Sequence, residues 1–141
     1  MRFLSVTFVA FACILSSASC ERLCACTPPQ PDVEGEIRGR VFAADSTPAE
    51  AALVDLVAGI DSCEPDDRVE VGPDYAEPEG DFAAWFEAYD VAGADSVCLT
   101  ARAYPAAGNG TVQKPSEPVT FVIAAVAGHH VFEHDFYLTA P

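Results

Sequence analysis

Gly35-Glu36-Ile37-Arg38-Gly39-Arg40-Val41-Phe42 decides how this chain folds. Ile37, Gly39 and Val41 alternate with Arg38, Arg40 and Phe42, so one side of the segment is apolar and the other charged or aromatic. A period of two puts successive side chains on opposite faces of a strand, which a helix does not do. Downstream, Asp45-Ser46-Thr47-Pro48 is a turn, and Ala52-Leu53-Val54-Asp55-Leu56-Val57, ended by Gly59, is a second strand. A polar loop from Asp61 to Asp67 leads to a short strand around Arg68–Val71, and an acidic connection runs from Gly72 to Gly80. Phe82–Tyr89 suits a helical turn or two by composition, but the flanking Gly80 and the neighbouring strands favour a strand. Val97–Tyr104 is another strand, and Pro105–Pro118 is a Gly/Asn/Pro/Ser loop. Val119–Val126 and Val131–Leu138, joined across Ala127-Gly128-His129, complete the set. Seven short strands at this spacing predict an all-β domain, an antiparallel β-sandwich.

Upstream of the domain the pattern changes. Met1 to Leu15 carries one early positive charge, Arg2, followed by an apolar run, and the chain then becomes small and weakly polar at Ser16-Ser17-Ala18-Ser19. These are the three zones of a secretory signal, predicted here over residues 1–19. Its apolar run of about 13 residues falls short of the roughly 20 a membrane helix needs. Cleavage after Ala18 or Ser19 predicts a free secreted protein. Ser17-Ala18-Ser19-Cys20 also resembles the bacterial lipobox, with Ser17 where that motif prefers an aliphatic residue. The resemblance implies lipidation of Cys20 and a periplasmic or cell-surface protein held at a membrane. Residues 20–33, rich in cysteine and proline, then read as an extended tether, and 34–141 as the sandwich.

The 141-residue chain is 50% hydrophobic, which supplies a core and argues against global disorder. Its formal net charge is −15. So acidic a surface repels nucleic acid and anionic lipid, leaving membrane contact to the lipid anchor. The expected partner is an envelope protein or polysaccharide.

The order of short motifs resembles the carboxypeptidase regulatory-like domains. Ile37-Arg38-Gly39-Arg40-Val41 is similar to their I-x-G-x-V opening, and Pro48 before Ala52, Val54 and Leu56 to the next turn and strand. Gly80-Asp81-Phe82 matches the central G-x-F turn, Leu99-Thr100-Ala101-Arg102-Ala103 a Thr-and-Ala strand, and Asp135-Phe136-Tyr137-Leu138 the closing D-F-x-L. The stretches Asp61–Glu79 and Ala88–Asp95 replace the family's compact hairpin. The resemblance implies a transthyretin-like seven-stranded sandwich serving as a non-catalytic accessory or binding module.

Six cysteines are present, and Cys13 leaves with the leader. Pairing of Cys63 with Cys98, both inside the domain, is the first expectation, closing a loop of about 35 residues worth roughly 3–4 kcal/mol. Cys24 and Cys26 then form a strained bridge or stay free; the rival pairing clips both to the sandwich. A zinc site built from Cys-x-Cys with distant Cys and His matches no standard spacing.

His129-His130-x-x-x-His134-Asp135 is the most ligand-like cluster. On a strand His130 and His134 stand about 13 Å apart, too far to share a metal. The cluster therefore reads as a polar hairpin, and no metal site is assigned. Asp61, Glu64, Asp66, Asp67, Asp74, Glu77, Glu79 and Asp81 offer the hard oxygens calcium prefers, without EF-hand order. Trp85, Phe86 and Tyr89 are expected as sandwich core; exposed, they would grip a sugar or peptide. The chain lacks a G-x-S-x-G elbow, a His-Glu-x-x-His motif and a glycine-rich phosphate loop. No catalytic residue and no cofactor are assigned. The expected function is a non-enzymatic, surface-tethered sandwich that binds or scaffolds an envelope component. A small extracytoplasmic hydrolase and a calcium-dependent adhesion module are the alternatives.

Overall fold

The structure is a computed structural model that describes residues 28–108 and 112–141. The expected leader, Cys20, Cys24 and Cys26 lie outside the described residues. Alternation along the chain yields strands throughout: β1 (Val33–Phe42), β2 (Leu53–Ile60), β3 (Val69–Gly72), β4 (Asp74–Tyr75), β5 (Asp81–Ala88), β6 (Ser96–Tyr104), β7 (Val119–Ala124), β8 (Gly128–Glu133) and β9 (Phe136–Tyr137). They form two sheets, in orders β3-β5-β1-β8 with β9 also on β1, and β4-β2-β6-β7. The fold is an all-β sandwich.

Each sheet turns its apolar side inward. On β1 the interior positions are Val33, Ile37 and Val41; on β5 they are Phe82, Ala84, Phe86 and Ala88; on β6 they are Val97, Leu99, Ala101 and Ala103. One end of the core gathers Ile37, Val41, Val54, Leu56, Phe82 and Phe136, and the other gathers Val33, Ile60, Phe86, Val97, Leu99 and Ile123. Burial of these side chains is the main driving force for joining the sheets.

Three features depart from the expected strand plan. The acidic connection contains β4, which pairs with β2 at Leu53↔Tyr75 and Val54↔Asp74. The last expected strand starts earlier and is interrupted: β8 and β9 keep one register on β1, partners being 95 residues apart in both. Between them His134 N donates to the Arg38 carbonyl and Arg40 N donates to the Asp135 carboxylate, 2.9 Å each. Thirdly, β7 and β8 are not a hairpin but lie in opposite sheets, and β1 runs parallel to β8 and β9. The crossing lets Phe121 from β7 meet Phe132 from β8 across the core, ring centroids 4.8 Å apart. A hairpin would have set those rings side by side in one sheet.

The parallel neighbour explains two glycines. A Cβ at Gly35 would collide with the His130 carbonyl, and one at Gly39 with the His134 carbonyl. On the opposite sheet, the loop after β2 folds back over the sheet at Gly59, where a Cβ would strike the Glu64 carbonyl. Asp66 N donates to the Ala58 carbonyl there, at 3.1 Å. Cys63, in this loop, is joined to Cys98 on β6 with Cα atoms 4.9 Å apart, so the expected disulfide partners meet.

Candidate functional site

The outer face of the β3-β5-β1-β8 sheet carries the densest chemistry. Where Val33, Ile37 and Val41 point inward, Glu34, Glu36, Arg38, Arg40 and Phe42 must point outward. The strand registers then lay these side chains out in rows. Glu70, Glu87, Glu34 and His129 stand side by side across all four strands. The next row is Gly72, Trp85, Glu36 and Val131. Further along, Arg38 has Ala83 and Glu133 beside it, and Arg40 has Asp81. The row of Phe42 and Tyr137 ends the face, their rings stacked with centroids 5.2 Å apart.

Trp85 departs from the expectation that all three aromatics fill the core. Phe86 is fully buried, Tyr89 is half-buried, and Trp85 is 43% exposed on the outer face. Its indole lies across Gly72, where any Cβ would run into the ring. The physical reason is the parity of β5. Phe82, Ala84, Phe86 and Ala88 occupy the inward positions, so Trp85 shares the outward side with Ala83 and Glu87. Glu34, Glu36, Trp85, Glu87 and His129 line a shallow depression of 160 Å³.

The charges on this face are unevenly neutralised. Arg38 Nη2 bonds Glu36 Oε1, and that donor holds the Glu36 carboxyl below its ordinary range. Arg40 Nε bonds Asp81 Oδ1 at 2.8 Å. His129 reaches Glu34 through Nδ1 at 3.6 Å and Glu36 through Nε2 at 3.9 Å. At the other end of the row, Tyr89 donates its hydroxyl to Glu87 Oε2 at 2.6 Å. That bond, then burial, then the negative charges of Glu87, Glu70 and Glu34 push the Tyr89 phenol up to about 12. Its neutral form is favoured by folding, so the stabilisation is present below pH 10 and lost as pH climbs through about 12. Tyr89→Phe is expected to remove the phenolate absorbance step near pH 12; persistence of that step in the variant would contradict the assignment.

Arg38, Arg40, Phe42, Asp81, Glu133 and Asp135 border a larger open groove of 630 Å³ at the far end. Its arginines are paired within the chain, so its charge is largely balanced. Among the described residues, no Lys or Arg pairs in this way with the row of Glu70, Glu87 and Glu34.

The remaining sequence candidates disperse. His129 faces outward, whereas His134 packs edge-on against Phe136 and Phe121, at 4.8 Å and 6.3 Å between centroids. His130 lies between them in sequence, and its Nε2 is buried without a hydrogen-bond partner among the described residues. The acidic loops also divide. Asp61 accepts from Asp95 N and Ser96 N, at 2.7 and 2.9 Å, and Asp74 accepts from Tyr75 N and Ala83 N, at 2.9 and 2.7 Å. Asp66 is paired with Arg68, whose hydrogen bonds lower its carboxyl to about 2. Among the described residues, no three His, Cys, Asp or Glu side chains are grouped to hold a metal ion.

No family model, curated protein or solved structure matches this chain.

Proposed function

We propose that this protein is a non-catalytic binding module of the cell envelope, exported and held at a membrane through lipid on Cys20. It takes a lysine- or arginine-rich segment of a partner protein on the outer face of the β3-β5-β1-β8 sheet. One observation carries the reading: Trp85 stands half-exposed beside a row in which Glu70, Glu87 and Glu34 are direct cross-strand neighbours. Like charges placed opposite one another destabilise a sheet. A bound cation relieves that repulsion, and the face of a tryptophan attracts the same cation by about 0.5–1 kcal/mol.

Two further features support the setting. The Cys63–Cys98 pair suits an oxidising compartment outside the cytoplasm. The resemblance to carboxypeptidase regulatory-like domains favours an accessory sandwich over an enzyme, with function carried on its surface.

Calorimetric titration with a hexalysine peptide tests the site. The wild-type chain is expected to bind it, and the double variant Glu34→Gln/Glu87→Gln to bind about tenfold more weakly, since each exposed ion pair contributes up to about 1 kcal/mol. Equal affinity in the two proteins, or no binding by the wild type, would overturn the proposal.

A further inference from the structure

Gly72 and Trp85 are direct cross-strand partners, and the glycine determines how the indole lies. A Cβ placed on Gly72 would meet Nε1, Cε2 and Cδ1 of Trp85 together. Three consecutive atoms of a five-membered ring come that close to one point only when the point stands over the ring's face. The indole therefore reaches across from β5 and lies flat on β3. It covers Gly72, which is buried although its strand is at the edge of the sheet. A glycine in a strand marks such a close approach, and an aromatic ring laid over it shields the bare backbone. One face of the ring is thus against the strand. The other is turned to solvent, so a side chain seated this tightly stays 43% exposed.

Carboxylates surround the flat ring. Glu36 is directly opposite Trp85 on β1. Glu87 on β5 and Glu70 on β3 are each two residues along on the same face, and directly opposite one another. Two residues of strand span about 7 Å. Glu36 is already bonded by Arg38, whereas among the described residues no Lys or Arg pairs with Glu70 or Glu87.

We propose that this face selects arginine over lysine in its partner, an assignment that rests on the basic-segment function proposed above. One guanidinium stacks on the open side of Trp85 and turns its edge towards Glu70 and Glu87. A guanidinium is a flat, weakly hydrated cation. Laid on an indole, it keeps its N–H donors in its own plane, free to reach sideways to carboxylates in pairs. An ammonium is a compact, strongly hydrated point charge whose three donors fan out from one atom, so stacking gives it no such alignment. The flat posture matters because the face of an aromatic ring is negative and its edge positive. Gly72 is the positioning residue: it touches no ligand and acts by letting the ring lie down.

Calorimetric titration of the wild type, Gly72→Ala and Trp85→Leu with hexaarginine and with hexalysine tests the selection. Trp85 is exposed and Gly72 is on an edge strand, so both variants are expected to fold, which circular dichroism and formation of the Cys63–Cys98 bond check directly. The wild type is expected to bind hexaarginine about fivefold more tightly than hexalysine, and each variant to bind the two peptides alike. Gly72→Ala keeps the ring but lifts it from the strand, so its tryptophan emission is expected at longer wavelength. A wild type that binds both peptides equally would overturn the selection and leave the basic-segment function standing; one that binds neither would overturn both. An arginine preference that persists in Trp85→Leu would overturn the stacking. A preference that persists in Gly72→Ala, or emission of that variant at the wild-type wavelength, would overturn the role of Gly72.

Discussion

Phe86→Ala is expected to lower the unfolding free energy by about 3–5 kcal/mol, measured by urea denaturation. Phe86 is fully buried on β5, between Gly35 of β1 and Val71 of β3 in register, and it packs with Val33, Ile60, Val97, Leu99 and Ile123. The space its ring fills exists because Gly35 has no side chain: a Cβ there would come within 2.9 Å of Phe86 Cε1. Truncation removes the ring but cannot bring Gly35 closer, since the His130 carbonyl already crowds that position. The cavity therefore persists, and a persistent cavity adds to the transfer free energy lost. A loss below about 1 kcal/mol, the size of a change at the surface, would show that the ring does not anchor this end of the core.

Removing the Cys63–Cys98 bond is expected to cost about 3–4 kcal/mol, through a double Cys63→Ala/Cys98→Ala variant. The cross-link spans 35 residues, and closing that loop restricts the unfolded chain more than the folded one. In the folded state it also holds the Asp61–Asp66 segment against the sheet, where Gly59 makes room for it. The Tm of the variant is expected to fall by about 10–20 °C, and that of the wild type to fall similarly in reductant. An unchanged Tm in both would contradict the account.

Much of the architecture was legible in the sequence because the interior repeats every second residue. Ile37, Gly39 and Val41 reveal β1, and the parity of Val54 and Leu56 reveals β2. Asp74-Tyr75 carries no such signal: two polar-edged residues after Pro73 are indistinguishable from a turn, and only contact with Leu53 and Val54 makes them β4. The crossing between β7 and β8 was hidden for a different reason. Ala127-Gly128-His129 resembles a hairpin turn locally, and the choice of opposite sheets depends on Phe121 and Phe132 meeting across the core. The pairing of Cys63 with Cys98 followed from their both lying in the domain.

The candidate site was less legible. Glu34, Glu36, Glu70 and Glu87 are individually unremarked positions, and the registers β1↔β5 and β3↔β5 gather them beside Trp85. One signal did exist. Trp85 lies at an odd position between Ala84 and Phe86, in step with Glu87, so the parity of β5 places it outside. Its size argued for the core, and parity outweighs size when an adjacent phenylalanine fills the interior. The histidines show the converse: within six residues of one another, they are sent to different surroundings by strand alternation and by the break at His134-Asp135.

Trp85 is the chain's single tryptophan, so its fluorescence reports on the proposed face and on nothing else. The most direct test is titration of the wild-type protein with hexalysine while that emission is followed, first at low ionic strength and again in about 0.5 M salt. A saturable change in intensity or wavelength at low salt, weakened at high salt, is the predicted result, because exposed charges are screened within a few ångströms there. Emission that stays constant while hexalysine binds elsewhere, or that ignores the peptide altogether, would contradict the assignment of this sheet face as the binding surface.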